Sequence, residues 1–269
     1  MIGLYNIQED MQKALSKKTE VVVLKDTTFP KVDGLIIDWV YTPNKKNPSK
    51  EFAHQAFLTN EYIKKGVKTV IFDKHMSITD SEYKWLSKFN TMFFEPALNN
   101  RRFFGYLPHW IGMDDNKLLD LEETTSDRKI DLGYIGPRNI DTFEKYYIEY
   151  MKKYNHRVVS YKDVDLDWKN VKCAIAIDSN YNIGHMSSHV LDALSNGCMV
   201  LCPVEHKYFT SMFYGNVVEE VDSIEYWIKH MTHEMRFASV LSIYKIIEER
   251  FPEFTLKYAV DKVLVEGLL

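Results

Sequence analysis

Short apolar runs alternate with amphipathic stretches along the first 112 residues. The runs are typical of buried strands, and the stretches carry apolar residues at helical spacing. The predicted strands are 2–7, 20–24, 34–39, 69–72 and 91–94, and the predicted helices are 8–18, 50–65 and 81–89. Because strands and helices alternate, the pattern predicts a mainly parallel sheet covered by helices.

The alternation stops over residues 113–128, an acidic stretch without an apolar run that is typical of a linker. A second alternating set follows, with predicted strands at 130–135, 157–160, 172–177 and 199–201 and helices at 141–154, 188–195, 223–231 and 237–249. We therefore predict an N-terminal α/β domain over 1–112 and a C-terminal α/β domain over 129–253. Residues 254–269 form a terminal helix that can return to the first domain.

Composition supports a globular protein, since 45% of the 269 residues are apolar, enough to bury a large core. No apolar run reaches the length of a membrane span, and the first residues lack the features of a signal peptide. We expect a cytoplasmic protein with no membrane span. Cys173, Cys198 and Cys202 lie in or beside apolar runs and are predicted to be reduced core residues.

Candidate chemistry is densest around the predicted helix 188–195. Ser187 or Ser188 is a suitable N-cap, and the helix N-terminus offers free N–H groups and a partial positive charge to a diphosphate. Asp192 lies four residues after Ser188, on the same face, where it can accept hydrogen bonds from ribose hydroxyls. Gly136 and Arg138 end another predicted strand in a phosphate-type turn. From the residues alone, an ordinary capped helix with a solvated acid explains the same pattern.

The stretch Ser188-His-Val-Leu-Asp192-Ala-Leu-Ser-Asn-Gly197 is similar to the S-x-x-x-E-A-L-x-x-G stretch of GT-B-fold nucleotide-sugar glycosyltransferases. Segments 105–108 and 131–138 also resemble that family. The resemblance implies two Rossmann-like domains facing a cleft, and transfer from a UDP-type sugar without a metal or other cofactor. The donor-binding residues that follow are Gly136, Arg138, His185, Ser187, Ser188 and Asp192, with Asp192 on the donor ribose.

Two predicted strands of the first domain end in acids, Asp38 and Asp73, with His75 two residues beyond the second. Ligands of parallel α/β sheets bind at the carboxyl ends of the strands, so each of the three can serve as the base that deprotonates an acceptor hydroxyl. The stretch TVIFDKHMS, residues 69–77, resembles the strand and turn that carry the catalytic acid in phage DNA glucosyltransferases. The three candidates stay open at this point, as does a structural role for each.

Net charge is unevenly distributed along the chain. The first 112 residues hold 16 Lys and Arg against 12 Asp and Glu, whereas the whole chain has 34 against 38. Lys45, Lys46, Arg101 and Arg102 are therefore predicted to bind an anionic acceptor. The resemblance to phage enzymes suggests double-stranded DNA carrying 5-hydroxymethylcytosine, whose base would have to flip out of the duplex. A solvated lysine-rich surface explains the same charges.

Other functions are compatible with the same residues. The acceptor can be a cell-surface glycan or a small molecule, and a nucleotide-sugar epimerase or a non-catalytic nucleotide-binding protein can share the architecture. Asp163 and Asp165 have the DxD spacing by which GT-A glycosyltransferases hold a divalent cation. Because the two-domain pattern favours GT-B, we interpret this acidic segment as a solvated loop and expect no metal.

Overall fold

The computed structural model describes residues 1–25, 28–40, 49–99, 102, 104–109, 127–136, 138, 141–154, 156–160, 167–176, 184–206, 209–213 and 215–268. The chain divides into two compact units. Unit 1 comprises Met1–Pro108 together with Leu256–Leu269, and unit 2 comprises His109–Thr255. Each unit is built on one parallel sheet, which confirms the predicted α/β class.

The six strands of unit 1 are arranged in the order β2-β1-β3-β4-β5-β6, all parallel. They are β1 (Ile2–Tyr5), β2 (Val21–Val23), β3 (Gly34–Asp38), β4 (Lys68–Phe72), β5 (Thr91–Glu95) and β6 (Gly105–Tyr106). The central strands β3 and β4 are apolar on both faces because helices cover the sheet, and Leu35, Ile37 and Ile71 are fully buried.

Three helices of unit 1 connect its strands. They are α1 (Glu9–Ser16), α2 (Lys50–Leu58), which continues as a π-helical segment over Thr59–Ile63, and α3 (Asp80–Leu86). The N-cap of α2 is Ser49, and that of α3 is Thr79, which forms a capping box with Glu82. These caps fix where the two helices start, at the carboxyl ends of β3 and β4.

The C-terminal helix belongs to unit 1. This helix, α8, comprises Leu256–Asp261 and a π-helical segment over Lys262–Leu268, and it follows a short turn at Pro252–Phe254. Gly267 lies so close to β4 that a Cβ atom there would approach Val70 Cγ2 to 2.3 Å. A glycine at this position therefore permits the backbone of α8 to contact the sheet.

The five strands of unit 2 are arranged in the order β11-β10-β9-β7-β8, also parallel. They are β7 (Ile130–Ile135), β8 (Val158–Ser160), β9 (Val171–Ala176), β10 (Met199–Pro203) and β11 (Val217–Val218). The helices are α4, formed by Asp141–Phe143, Glu144–Ile148 and Glu149–Lys153, then α5 (Ser188–Ser195), α6 (Val221–His230) and α7 (His233–Arg250). Cys173, Cys198 and Cys202 are buried in this core and form no disulfide, as predicted.

Arg128 lies inside unit 2 although the sequence places it at the end of the predicted linker. Its side chain is buried, and the guanidinium donates to the carbonyl oxygens of Trp168 at 3.0 Å, Val171 at 2.7 Å and Asn196 at 2.7 Å. The carbonyl oxygens satisfy these N–H donors but do not neutralise the charge, and burial lowers the pKa of Arg128 to about 10. Unit 2 thus extends upstream of β7.

Both sheets share one topological property. In unit 1 the chain passes from β1 to β2 on one side and then crosses to β3 on the other, and in unit 2 it passes from β7 to β8 and then crosses to β9. In open parallel α/β sheets such a reversal marks the crevice where ligands bind, which here corresponds to the carboxyl ends of β1 and β3 in unit 1 and of β7 and β9 in unit 2. Among the helices of the described residues, none combines the length and apolar character needed to cross a membrane.

Candidate functional site

Three buried carboxylates lie at the carboxyl edge of the unit 1 sheet. Asp38 is the last residue of β3, Asp73 directly follows β4, and Glu95 is the last residue of β5. These three strands are neighbours, so their ends meet at one edge beside the crevice. All three side chains are buried, an arrangement that requires nearby cations or donors.

Asp38 is the acid next to the crevice of unit 1. Only 4% of the residue is exposed, its Oδ2 is 2.5 Å from Lys74 Nζ, and its Oδ1 has no hydrogen-bond partner among the described residues. Burial raises the pKa of Asp38 to about 6, although Lys74 opposes the shift. A carboxylate with this pKa changes its protonation state close to neutral pH, as a general base requires.

Asp73 has a different environment. Its Oδ1 accepts hydrogen bonds from the Ser77 backbone N–H at 2.8 Å and the Ser77 hydroxyl at 3.0 Å, and its Oδ2 accepts from the Ile78 backbone N–H at 2.7 Å. These bonds close the turn that follows β4 and leads to α3. Asp73 therefore orders the loop that carries Lys74 and the exposed His75.

Arg102 lies between two acids of this edge, Asp73 and Glu95. Its Nη2 is 3.5 Å from Glu95 Oε2 and 3.9 Å from Asp73 Oδ2, and its Nη1 donates to the Ile78 carbonyl oxygen. Burial raises the pKa of Glu95, an effect that Arg102 opposes. Arg102, predicted to bind the acceptor, is thus engaged in internal ion pairs and has 19% of its side chain exposed.

Sequence reasoning did not identify two members of this cluster, Lys74 and Glu95. An acid at the end of the predicted strand 91–94 and a lysine beside Asp73 were the available signals. The other residues predicted to bind the acceptor, Lys45, Lys46 and Arg101, lie outside the described residues.

The predicted donor-binding residues follow β7 and β9 along the chain. Gly136 directly follows β7 with φ of 147°, and the exposed Arg138 lies two residues further. Because β7 and β9 pair side by side, the turn at Gly136 and the connection from β9 to α5 leave the same edge of the sheet. Glycine readily adopts a positive φ and allows close approach of a ligand to the backbone.

Helix α5 begins as predicted, at Ser188, and Ser187 is its N-cap, with Oγ accepting from the His189 backbone N–H at 3.3 Å. The side chain of Asp192 is 58% exposed and its Oδ2 is 3.7 Å from His189 Nδ1. The ring of His185 lies against that of His109, with centroids 5.8 Å apart. The first turns of α5 thus present hydroxyl, imidazole and carboxylate groups near an N-terminus that favours anions.

Comparison with known proteins leaves the function to be inferred from these features. No family model matches the sequence, and a search of curated proteins finds no significant match.

A metal centre is not evident in the part of the chain that the structure describes. There, no three or more His, Cys, Asp or Glu side chains are grouped so that they could hold a metal ion. Asp163 and Asp165, the pair with DxD spacing, lie outside the described residues.

Proposed function

We propose that this protein is a glycosyltransferase of the GT-B type, with a nucleotide-sugar donor bound by unit 2 and an acceptor hydroxyl activated by unit 1. One observation carries the proposal. The stretch that resembles the donor-ribose motif forms a capped helix, α5, that follows the connection from β9, the strand beside β7 at the crevice of a parallel sheet. This is where such sheets bind nucleotides.

Donor binding is assigned to the residues around this crevice. The N-terminus of α5 and the backbone at Gly136 offer N–H groups to the diphosphate, and Arg138 supplies a positive charge. Asp192, exposed one turn into the helix, accepts hydrogen bonds from the ribose hydroxyls. Arg138 and the N-terminus of α5 stabilise the negative charge that develops on the departing diphosphate.

Asp38 is the proposed general base. The acceptor hydroxyl gives its proton to Asp38, its oxygen forms the new bond to the anomeric carbon, and the nucleoside diphosphate leaves with the electron pair of the broken bond. Asp38 is preferred to Asp73 because Oδ1 of Asp38 has no partner among the described residues, whereas both oxygens of Asp73 accept hydrogen bonds from the following turn. His75 stays a candidate in that turn.

For the acceptor we propose 5-hydroxymethylcytosine in DNA. The excess of Lys and Arg over Asp and Glu in the first 112 residues supports attraction of a polyanion to this part of the chain. The resemblance of segment 69–77 to phage DNA glucosyltransferases supports the same acceptor. A glycan is the competing acceptor, and a transfer assay with each acceptor distinguishes the two.

The first experiment is a thermal-shift panel of nucleotide sugars. A specific donor at one hundred times its Kd stabilises the folded state by about 2.7 kcal/mol, a rise of several degrees in Tm. The stabilising donor, isotopically labelled, is then incubated with hydroxymethylated duplex DNA, unmodified duplex DNA or a glycan mixture. We expect label only in the hydroxymethylated DNA.

Four outcomes would contradict parts of this proposal. No stabilisation by any nucleotide sugar would remove the donor assignment, and label in the glycan alone would remove the DNA acceptor. Consumption of donor without an acceptor would favour an epimerase. Turnover should also persist with a chelator, since activity lost to chelation and restored by manganese would indicate a metal-dependent enzyme.

A further inference from the structure

A pocket of about 200 Å³ opens on unit 1 between α2 and α3. Its lining consists of apolar and aromatic side chains with a few polar ones. The lining residues are Trp39, Phe52, Gln55, Ala56, Thr59, Asn60, Glu82, Trp85 and Leu86. None of these residues has a role in the proposed glycosyl transfer, so the pocket needs a separate explanation.

Internal hydrogen bonds hold the pocket in shape. The Gln55 side chain accepts from the Val40 backbone N–H at 2.8 Å and donates to the Val40 carbonyl oxygen at 3.4 Å. Glu82 Oε2 accepts from the backbone N–H of Thr79 at 2.8 Å and from its hydroxyl at 2.7 Å. Because these side chains are already fixed, a ligand would lose little free energy in ordering the walls.

Size and wall chemistry suit one aromatic ring. An apolar cavity of roughly 150 Å³ in another protein is known to bind benzene, so this volume accommodates a six-membered ring with a short substituent. Trp39 and Leu86 form buried parts of the wall, while 37% of Trp85 is exposed at the mouth. Indole and phenyl faces favour both apolar groups and cations.

The charge of the pocket lining favours cationic ligands over anionic ones. Of the described residues that line the pocket, Glu82 alone carries a charge, and that charge repels carboxylates and phosphates. The exposed Lys64 places its Nζ 5.4 Å from the Trp85 ring centre, so a ligand ammonium must displace Lys64 to use this face of the indole, and it is Glu82 that attracts the cation. We propose that the pocket binds a small aryl-alkyl ammonium ion, with its ring against Trp39, Phe52 and Trp85 and its ammonium group near Glu82.

The test compares ligands that share a phenyl ring and differ in charge. The full-length, ¹⁵N-labelled protein is titrated with 2-phenylethylammonium, 2-phenylethanol or 3-phenylpropanoate, and the side-chain N–H signals of its 5 tryptophans are followed by NMR. We expect the cation to bind best and the anion worst. The signals of Trp39 and Trp85, assigned through Trp39→Phe and Trp85→Phe variants, should shift most.

Three variants locate the binding. Glu82→Gln keeps the capping interaction with Thr79 and removes the charge, so it should weaken cation binding roughly three- to tenfold and leave 2-phenylethanol within about twofold. Ala56→Phe places a ring at the pocket and should abolish the shifts. Phe57→Ala removes an exposed ring of α2 outside the lining and should change nothing.

Circular dichroism confirms that each variant is folded. The proposal is overturned if 3-phenylpropanoate binds as tightly as the cation, if no ligand shifts the two signals, or if the shifts persist in folded Ala56→Phe. None of these results depends on glycosyl transfer. The ligand proposed for the pocket can therefore be disproved without affecting the proposed enzymatic function, and the enzymatic function can be disproved without affecting the pocket.

Discussion

The two units place their candidate groups by the same topology but with opposite chemistry. At the carboxyl edge of unit 1, three buried acids are balanced by Lys74 and Arg102. At the corresponding edge of unit 2, a glycine turn and a capped helix N-terminus offer N–H groups to an anion. Topology thus determines where a ligand can bind, while the residues at the strand ends determine whether that edge favours proton transfer or phosphate binding.

The two acids with proposed roles, Asp38 in unit 1 and Asp192 in unit 2, differ in burial. Asp38 is 4% exposed and its pKa is raised to about 6, whereas 58% of the Asp192 side chain is exposed. Removal of the carboxylate should therefore affect proton transfer at Asp38 and ligand affinity at Asp192. Both effects are measurable with matched variants.

The largest effect is expected for Asp38→Asn. The amide keeps the shape of the side chain but cannot accept the proton, so kcat should fall by roughly 10² to 10⁴-fold with little change in donor Kd. Steady-state transfer assays and calorimetric donor binding measure the two quantities. Unchanged kcat in a folded Asp38→Asn protein would mean that the base is another residue.

Asp73→Asn is the matched control in the same edge. An amide can replace only part of the hydrogen bonding around the turn, so the free energy of unfolding should drop by about 1–3 kcal/mol. Urea unfolding measures this loss. If Asp73→Asn abolishes turnover while its stability equals that of the unmodified protein, the roles assigned to the two acids are reversed.

The third expected effect is a pH dependence of stability caused by Asp38. Its pKa is about 6 in the folded state against 3.8 ordinarily, so folding favours the protonated acid. The free energy of unfolding should therefore decrease as pH rises from about 4 to about 6, by up to about 3 kcal/mol from this group. Urea unfolding at several pH values, with Asp38→Asn as reference, isolates the contribution. If the free energy of unfolding changes with pH in the same way in both proteins, the raised pKa of Asp38 is contradicted.

The smallest effect is expected in unit 2, for Asp192→Ala. Loss of a charged acceptor to ribose hydroxyls should weaken donor binding roughly 10- to 100-fold, while the exposed position leaves stability within about 0.5 kcal/mol. Calorimetry and thermal unfolding test both expectations. Asp222→Ala, another exposed acid of unit 2, should bind donor normally. Equal affinity of Asp192→Ala and the unmodified protein would remove Asp192 from the site.

Sequence periodicity predicted the local elements well. The strand at 130–135 and the helix at 188–195 have the predicted bounds, because apolar spacing and caps act within a few residues. The partners of Asp38 and Glu95 were not predictable in this way. Lys74 is 36 residues from Asp38 in sequence, and the two meet only because β3 and β4 are neighbours in the sheet.

Roles were harder to predict than positions. Asp38 and Asp73 look alike in the sequence, each ending an apolar strand. The Ser77 hydroxyl and the backbone N–H groups of Ser77 and Ile78, which donate to Asp73, distinguish this acid from Asp38, whose Oδ1 has no hydrogen-bond partner among the described residues. The pocket between α2 and α3 escaped prediction for a similar reason, since Trp39, which follows β3, and Trp85, on α3, are distant in sequence and meet only in the fold.

The placement of α8 has a consequence for biosynthesis. Unit 1 begins the chain, yet Gly267 and its neighbours complete it against β4. During translation the sheet of unit 1 therefore emerges early but lacks one covering helix until residues 256–268 have left the ribosome. Unit 2, continuous from His109 to Thr255, is synthesised completely before residues 256–268, so it can finish folding before unit 1 does.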